Sequence, residues 1–192
     1  MNNLAILKTI NLDGISVLNK EFEEQLKIWS DSNFQFNYVA AKRAAFNKQD
    51  FTEYFQNLID KIVNEIGIVY ENIQIQWVHA GQHVVHKDVE RLSNITIPVV
   101  PVLDPVAFYS DDAKPKTKLG PPRKMPEQIS YYSDKNPMLL NVQKYHGVFC
   151  GINRPNDRAL LQLGWDTITF QEIINLKPKI WEIIEEKGFI KP

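Results

Sequence analysis

The chain has 192 residues, is 44% apolar and 23% charged, and carries a net charge of -1. That is enough for one domain with a real core and short for two, and it lacks the positive balance that draws a protein to nucleic acid or anionic membrane. No window approaches the roughly eighteen apolar residues a spanning helix needs. Cys150 is the only cysteine, so no intrachain disulfide can form. The opening MNNLAILKTINLDG has no basic stretch followed by a long apolar run. Both features fit a cytoplasmic protein without a signal peptide.

Three stretches read as helices. Val17 to Trp29 places Leu18, Phe22, Leu26 and Trp29 on one stripe. Asp50 to Ile66 repeats the pattern with Phe51, Tyr54, Phe55, Leu58, Ile59, Ile62 and Val63. Asp50 and Glu53 resemble a capping box, and Gly67 follows as a stop. Phe170 to Lys187 closes the chain with Ile173, Ile174, Ile180, Trp181, Ile183 and Ile184, and Pro178 either kinks this helix or begins a second one.

Between the second and third helices the apolar period falls to two. Ile73, Ile75 and Trp77 alternate with Gln74, Gln76 and Val78. Asn94 to Val100, Val106 to Tyr109, Met138 to Val142, Val148 to Cys150 and Ala159 to Leu163 are further short β-rich runs separated by turn residues. Helices at the ends of a run of short strands predict an α+β chain with an antiparallel sandwich or barrel in the middle. Ser110 to Pro137 breaks the pattern with five prolines, and with Lys114, Lys116, Lys118, Arg123 and Lys124 before Met125. It is too long for a plain hairpin loop. It reads as a solvated excursion or as a lid that meets an anionic substrate, Lys124 among its contacts.

The four histidines are His79, His83, His86 and His146. On a strand, His86 and Asp88 share a face, and His79 and His83 take the opposite one. The expectation for that second pair is a structural or supporting role rather than metal ligation. A carboxylate two residues from an imidazole, joined by one distant histidine, is the two-His-one-carboxylate set that holds Fe(II) or Mn(II) with open positions. His146 supplies the distant imidazole sixty residues on, and Arg158 follows after twelve more. His146 should open a strand that pairs as a hairpin with the one begun by Arg158, across a Gly151 to Asn156 turn. About four residues, roughly 13 Å, would then separate metal and guanidinium. Arg158 suits charge-assisted anchoring of a dicarboxylate, with Arg154 in the turn as the competing anchor.

The order H-x-D, distal His and later Arg resembles the 2-oxoglutarate and Fe(II)-dependent oxygenases. HKDVERLSNITIPVVP, VAFYS and PMLLNVQKYHGVFCGINRPNDRALLQL look most similar to the aspartyl/asparaginyl β-hydroxylase and prolyl-hydroxylase-like branches. The resemblance covers about residues 73 to 165. It implies a double-stranded β-helix (a jelly-roll, cupin-like core) supported by residues 1–72 and closed by a C-terminal helix over 166–192, all within one oxygenase domain. It also implies that His86, Asp88 and His146 ligate Fe(II) and that Arg158 binds the distal carboxylate of 2-oxoglutarate.

If the inward faces are those of Asn94 with Thr96 and of Ala107 with Tyr109, these polar side chains can bond the co-substrate carboxylates; Tyr109 is otherwise a core aromatic. Arg91, three beyond Asp88, can meet an anionic substrate or pair with a surface neighbour. The implied chemistry uses dioxygen and 2-oxoglutarate to hydroxylate an unidentified substrate: a protein side chain, an amino acid or a small metabolite. A cupin-like metalloenzyme that needs no 2-oxo acid, and a non-catalytic jelly-roll binding module, are the alternatives. The first would not require Arg158, and in the second the His and Asp residues are incidental.

Overall fold

The first two apolar stripes and the start of the third become helices, and one sheet collects them on one face. In the computed structural model, which describes residues 2–31, 43–78, 85–100, 105–113, 125–148 and 158–184, three α-helices form: α1 (Ile15–Asp31), α2 (Glu53–Ile66) and α3 (Phe170–Leu176). The strands are β1 (Leu4–Leu7), β2 (Arg43–Phe46), β3 (Asn72–Val78), β4 (Ser93–Pro98), β5 (Val106–Tyr109), β6 (Gln128–Ser130), β7 (Met138–Leu140), β8 (Tyr145–Val148), β9 (Arg158–Trp165) and β10 (Trp181–Ile183). They build a seven-stranded sheet ordered β10-β1-β7-β4-β9-β3-β2 and a three-stranded sheet ordered β6-β5-β8. Every strand pairing given by the register is antiparallel. Helices with antiparallel sheet are the expected α+β class.

Strand alternation divides the core in two. Ala5, Ile75, Ile95, Leu139, Leu161 and Leu163 point from the large sheet to the helices, where Leu18 and Phe22 of α1, Phe55 and Ile59 of α2 and Ile173 of α3 cover them. Leu4, Ile6, Met138, Leu140 and Leu160 point the other way and meet Val106 and Phe108 of the small sheet. The outer face of the small sheet buries Val85, Ala107, Tyr109 and Ala113 in a separate cluster.

Several local expectations shift. The capping box lies three residues upstream, where the Asn47 amide donates to Asp50 Oδ2 at 2.7 Å ahead of a 3-10 turn at Lys48–Asp50. Gly67 does end α2, in the left-handed region at φ 86° with its amide on the Val63 carbonyl. The C-terminal helix is much shorter than the sequence suggests. It starts on a Thr169–Glu172 capping box and stops at Leu176, and Pro178 opens a 3-10 turn instead of continuing it. Proline disfavours the helical conformation in the residue before it, and Lys177 sits at φ -143°, ψ 74°. The chain then extends as β10 and pairs with β1, so Trp181 and Ile183 are strand residues.

The Ser110 to Pro137 segment is not wholly irregular either. Asp111–Ala113 forms a 3-10 turn, and β6 returns to pair with β5, Ser130 opposite Val106. Its basic residues from Lys114 to Lys124 lie outside the described residues. The predicted hairpin between the last two core strands does not form. The strand holding His146 is β8, in the small sheet, whereas β9 lies in the large one.

Leu163 of β9 is fully buried against the helices, whereas Val69 is 67% exposed. Leu163→Ala should lower unfolding free energy by about 2–5 kcal/mol. Val69→Ala should change it by less than about 0.5 kcal/mol. Urea denaturation followed by circular dichroism measures both, and similar losses would contradict this placement of the core.

Candidate metal centre

His86 and His146 face each other in an isolated antiparallel bridge that extends the small sheet by one residue pair. The His86 amide donates to the His146 carbonyl at 2.9 Å, and the His146 amide donates back at 2.8 Å. Directly opposed residues on antiparallel chains place their side chains on one face, and the two rings stand 4.5 Å apart between centroids. Phe108 is the β5 partner of His146, and its ring lies on the same face at 6.1 Å. That face looks toward the large sheet, because Phe108 belongs to the core between the sheets.

Asp88 joins this pair through its own backbone. Its amide donates to the Val142 carbonyl at 3.0 Å. The Gln143 carboxamide donates to the carbonyls of Asp88 at 3.2 Å and Arg91 at 2.6 Å. The turn leading into β8 therefore holds the segment that carries Asp88. The Asp88 side chain is fully buried, with Oδ1 3.2 Å from His86 Nε2. One ligand atom from each of His86, Asp88 and His146 lies within 4.8 Å of the others, so the three can hold a metal ion. No other such group occurs among the described residues.

The donor chemistry suits a first-row metal. Neighbouring ligands each roughly 2.1 Å from an ion stand roughly 3 Å apart, near the His86–Asp88 separation. His146 Nδ1 lies 2.9 Å from the Lys144 carbonyl. A carbonyl only accepts, so Nδ1 carries the hydrogen and Nε2 keeps its lone pair for a metal. Burial, then the neighbouring His86, pushes the His146 pKa down to about 4, partly opposed by Asp88. The imidazole is thus held in the neutral form that coordinates metals.

Arg91 is turned inward rather than toward a substrate at the surface. Its Nη2 pairs with Asp88 Oδ2 at 2.5 Å, and only 3% of its side chain is exposed. Its Nη1 donates to Gln162 Oε1 at 2.9 Å. The ion pair expected as one alternative exists, but it is buried, because Asp88 offers a charge there and the Cβ-free Gly164 leaves room beside it.

Tyr109 does not face the centre. It is the register partner of Tyr145 and packs with Val85 and Ala113, on the opposite face of β5 from Phe108. Strand parity is the reason: if His146 looks inward, its partner Phe108 does too, and Tyr109 cannot. Asn94 and Thr96 do share a buried face of β4, and the Thr96 hydroxyl donates to Asn94 Oδ1 at 2.9 Å. They lie on the face opposite Ile95 and Ile97, with Thr96 beside Gln162. Arg158 is the first residue of β9, opposite Val78, and shares strand parity with Leu160 and Gln162; its side chain is outside the described residues, as are His79, His83, Lys124, Cys150 and Arg154. Gln143, Gln162 and Gly164 were not singled out from the sequence. The signal for Gln162 was present: a lone polar residue in the apolar run ALLQLGW, at the parity of Arg158.

No protein-family model matches the chain. No curated protein matches it either. Among solved structures, HygX from Streptomyces hygroscopicus, with nickel and 2-oxoglutarate bound, is 10% identical with a TM-score of 0.51, covering 88% of this chain and 85% of its own. AviO1 from Streptomyces viridochromogenes Tue57 is 14% identical with a TM-score of 0.49, over 86% and 91% of the two chains. A 2OG-Fe(II) oxygenase family oxidoreductase from Burkholderia pseudomallei is 12% identical with a TM-score of 0.43, over 77% and 82%. The likeness to HygX is one of fold. Among the described residues no helix is long and apolar enough to cross a membrane.

The lowered His146 pKa makes stability depend on pH. The unfolded histidine takes up its proton near pH 6.5 and the folded one near 4. The unfolded state therefore binds more protons between these values, and stability falls as pH drops through that window, by on the order of 3 kcal/mol. In metal-free protein, the urea midpoint should decline between pH 6.5 and 4. His146→Phe should flatten that decline; an unchanged pH profile would contradict the assignment.

Proposed function

We propose that the chain is a non-haem Fe(II) and 2-oxoglutarate-dependent oxygenase that hydroxylates a substrate. His86, Asp88 and His146 hold the metal, and Arg158 anchors the distal carboxylate of 2-oxoglutarate. The observation that carries this reading is the convergence of His86, Asp88 and His146. Two imidazoles and one carboxylate on a shared face leave coordination positions for a chelating 2-oxo acid and dioxygen. The fold shared with HygX, a structure with nickel and 2-oxoglutarate bound, supports it.

The strand order supports a double-stranded β-helix core. From β3 to β9 the chain passes between the large sheet and the small-sheet side, with the His86 bridge taking its turn between β3 and β4. Within the oxygenase superfamily the reading extends, on sequence resemblance over residues 86–101, 106–110 and 137–163, to the aspartyl/asparaginyl β-hydroxylase and prolyl-hydroxylase-like branches. The whole chain reads as one oxygenase domain.

When bound, Fe(II) supplies the activation of dioxygen that couples oxidative decarboxylation of 2-oxoglutarate, to succinate and carbon dioxide, with conversion of a C–H bond to C–OH. The chain's own contribution is positioning. The Lys144 carbonyl sets the His146 tautomer, and the backbone bridge aligns both imidazoles. Phe108 gives the centre an apolar flank that limits water. Arg158 shares its strand face with Gln162, four residues on, and Gln162 meets Arg91 beside Asp88.

Purified protein supplied with Fe(II), 2-oxoglutarate and dioxygen should form succinate, measurable by NMR. His86→Ala should abolish iron binding and succinate formation, whereas His79→Ala should not. Arg158→Ala should weaken 2-oxoglutarate binding about 10- to 100-fold, as loss of a charge-assisted pair implies. Unchanged affinity in that variant would move the anchor to Arg154 or remove 2-oxoglutarate from the reaction.

A further inference from the structure

We propose that Arg91 is a positioning residue for the metal centre: its guanidinium occupies Oδ2 of Asp88, so the carboxylate presents Oδ1 alone and serves as a one-oxygen ligand. The inference rests on the metal-centre reading above. Its basis is the construction around one side chain. Arg91 Nη2 meets Oδ2 at 2.5 Å with both side chains buried. The other oxygen, Oδ1, is the one 3.2 Å from His86 Nε2.

The guanidinium is fixed from its far side as well. Nη1 donates to Gln162 at 2.9 Å, and Gln162 donates onward to Gln76 Oε1 at 3.3 Å. Arg91 is thereby tied to β9 and β3, two adjacent strands of the large sheet. The neighbouring position on β9 is Gly164, where an added Cβ would stand 2.7 Å from Arg91 Cδ and 2.3 Å from Asn72 Oδ1. A side chain is missing where the arginine must pass. Gln143 holds the backbone at both ends of the pair, through the carbonyls of Asp88 and Arg91.

A guanidinium anchored on Gln162 and ion-paired with Oδ2 restricts the rotation of the carboxylate by charge attraction. A carboxylate offering both oxygens takes two coordination positions, the mode that suits large, flexible Ca²⁺ sites. Confining Asp88 to one oxygen keeps a position open and favours a small six-coordinate ion.

The test uses the full chain freed of metal by chelation. Mn(II) affinity is measured by calorimetry, and coordination by the visible spectrum of the Co(II) form. Native protein should bind Mn(II), and His86→Ala should not; failure of that pair of results sinks the metal-centre reading itself. Given native binding, Arg91→Gln should raise the Mn(II) Kd about 10- to 100-fold and change the Co(II) spectrum. Arg91→Lys should recover part of the affinity. Native Kd and native Co(II) spectrum in Arg91→Gln overturn the inference, whatever happens to its thermal stability. Should Arg91→Gln not fold, Gln162→Met decides, because it loosens the guanidinium without leaving Asp88 unpaired. A raised Kd with an altered spectrum supports the role, and native values overturn it.

Discussion

Two reciprocal backbone hydrogen bonds, 2.9 and 2.8 Å long, join His86 to His146, and the geometry of the centre follows from them. They fix more than proximity. Direct opposition in an antiparallel pair commits both side chains to one face. The register of β8 with β5 then determines what else shares that face: Phe108 does, and Tyr109 does not. A shift of one residue in either pairing would turn an imidazole to the outer cluster of Val85, Ala107 and Tyr109. The Asp88 amide on the Val142 carbonyl continues the alignment and brings the carboxylate to the same point.

Convergence concentrates polar groups in the interior, and the structure offsets that cost with partners. An unpaired carboxylate buried like Asp88 would be strongly destabilising. Here it has Arg91, and Arg91 has Gln162. The inner face of the large sheet is correspondingly uneven. Around β1 and β7 it carries Leu4, Ile6, Met138 and Leu140, which seal the space between the sheets. Around β4 and β9 it carries Asn94, Thr96 and Gln162, all buried. An apolar, packed end and a polar end on one buried sheet face suit a site that binds charged groups while limiting water.

The helices contribute at a distance. α1, α2 and α3 cover only the outer face of the large sheet, so the inner face is left to the site. The N-terminal strand β1 sits between β7 and β10 and ties both ends of the chain into that sheet. The element order alone suggested peripheral helical support. The contribution of strands from both termini is a tertiary fact, because short runs such as LAIL and WEI pair with residues more than a hundred positions away.

By itself the sequence determined whatever depends on local periodicity and residue chemistry. Helical stripes located α1 and α2, two-residue alternation located β3, short β-rich runs between turn residues located β4, β5 and β9, and Gly67 marked the end of α2. The types and parity of His86 and Asp88, with His146 downstream, were enough to nominate the cluster, because a two-residue offset on extended backbone has one geometric meaning. What stayed undetermined needed pairing. Turn residues between β8 and β9 look alike whether the chain folds back in one sheet or crosses to another, so sequence alone implies a hairpin where the chain passes between sheets. Tyr109 and Phe108 are equally plausible inward residues until the β5–β8 register chooses. Arg91 reads as a surface cation until the Asp88 carboxylate and the missing side chain of Gly164, contributed by distant strands, give it a buried place.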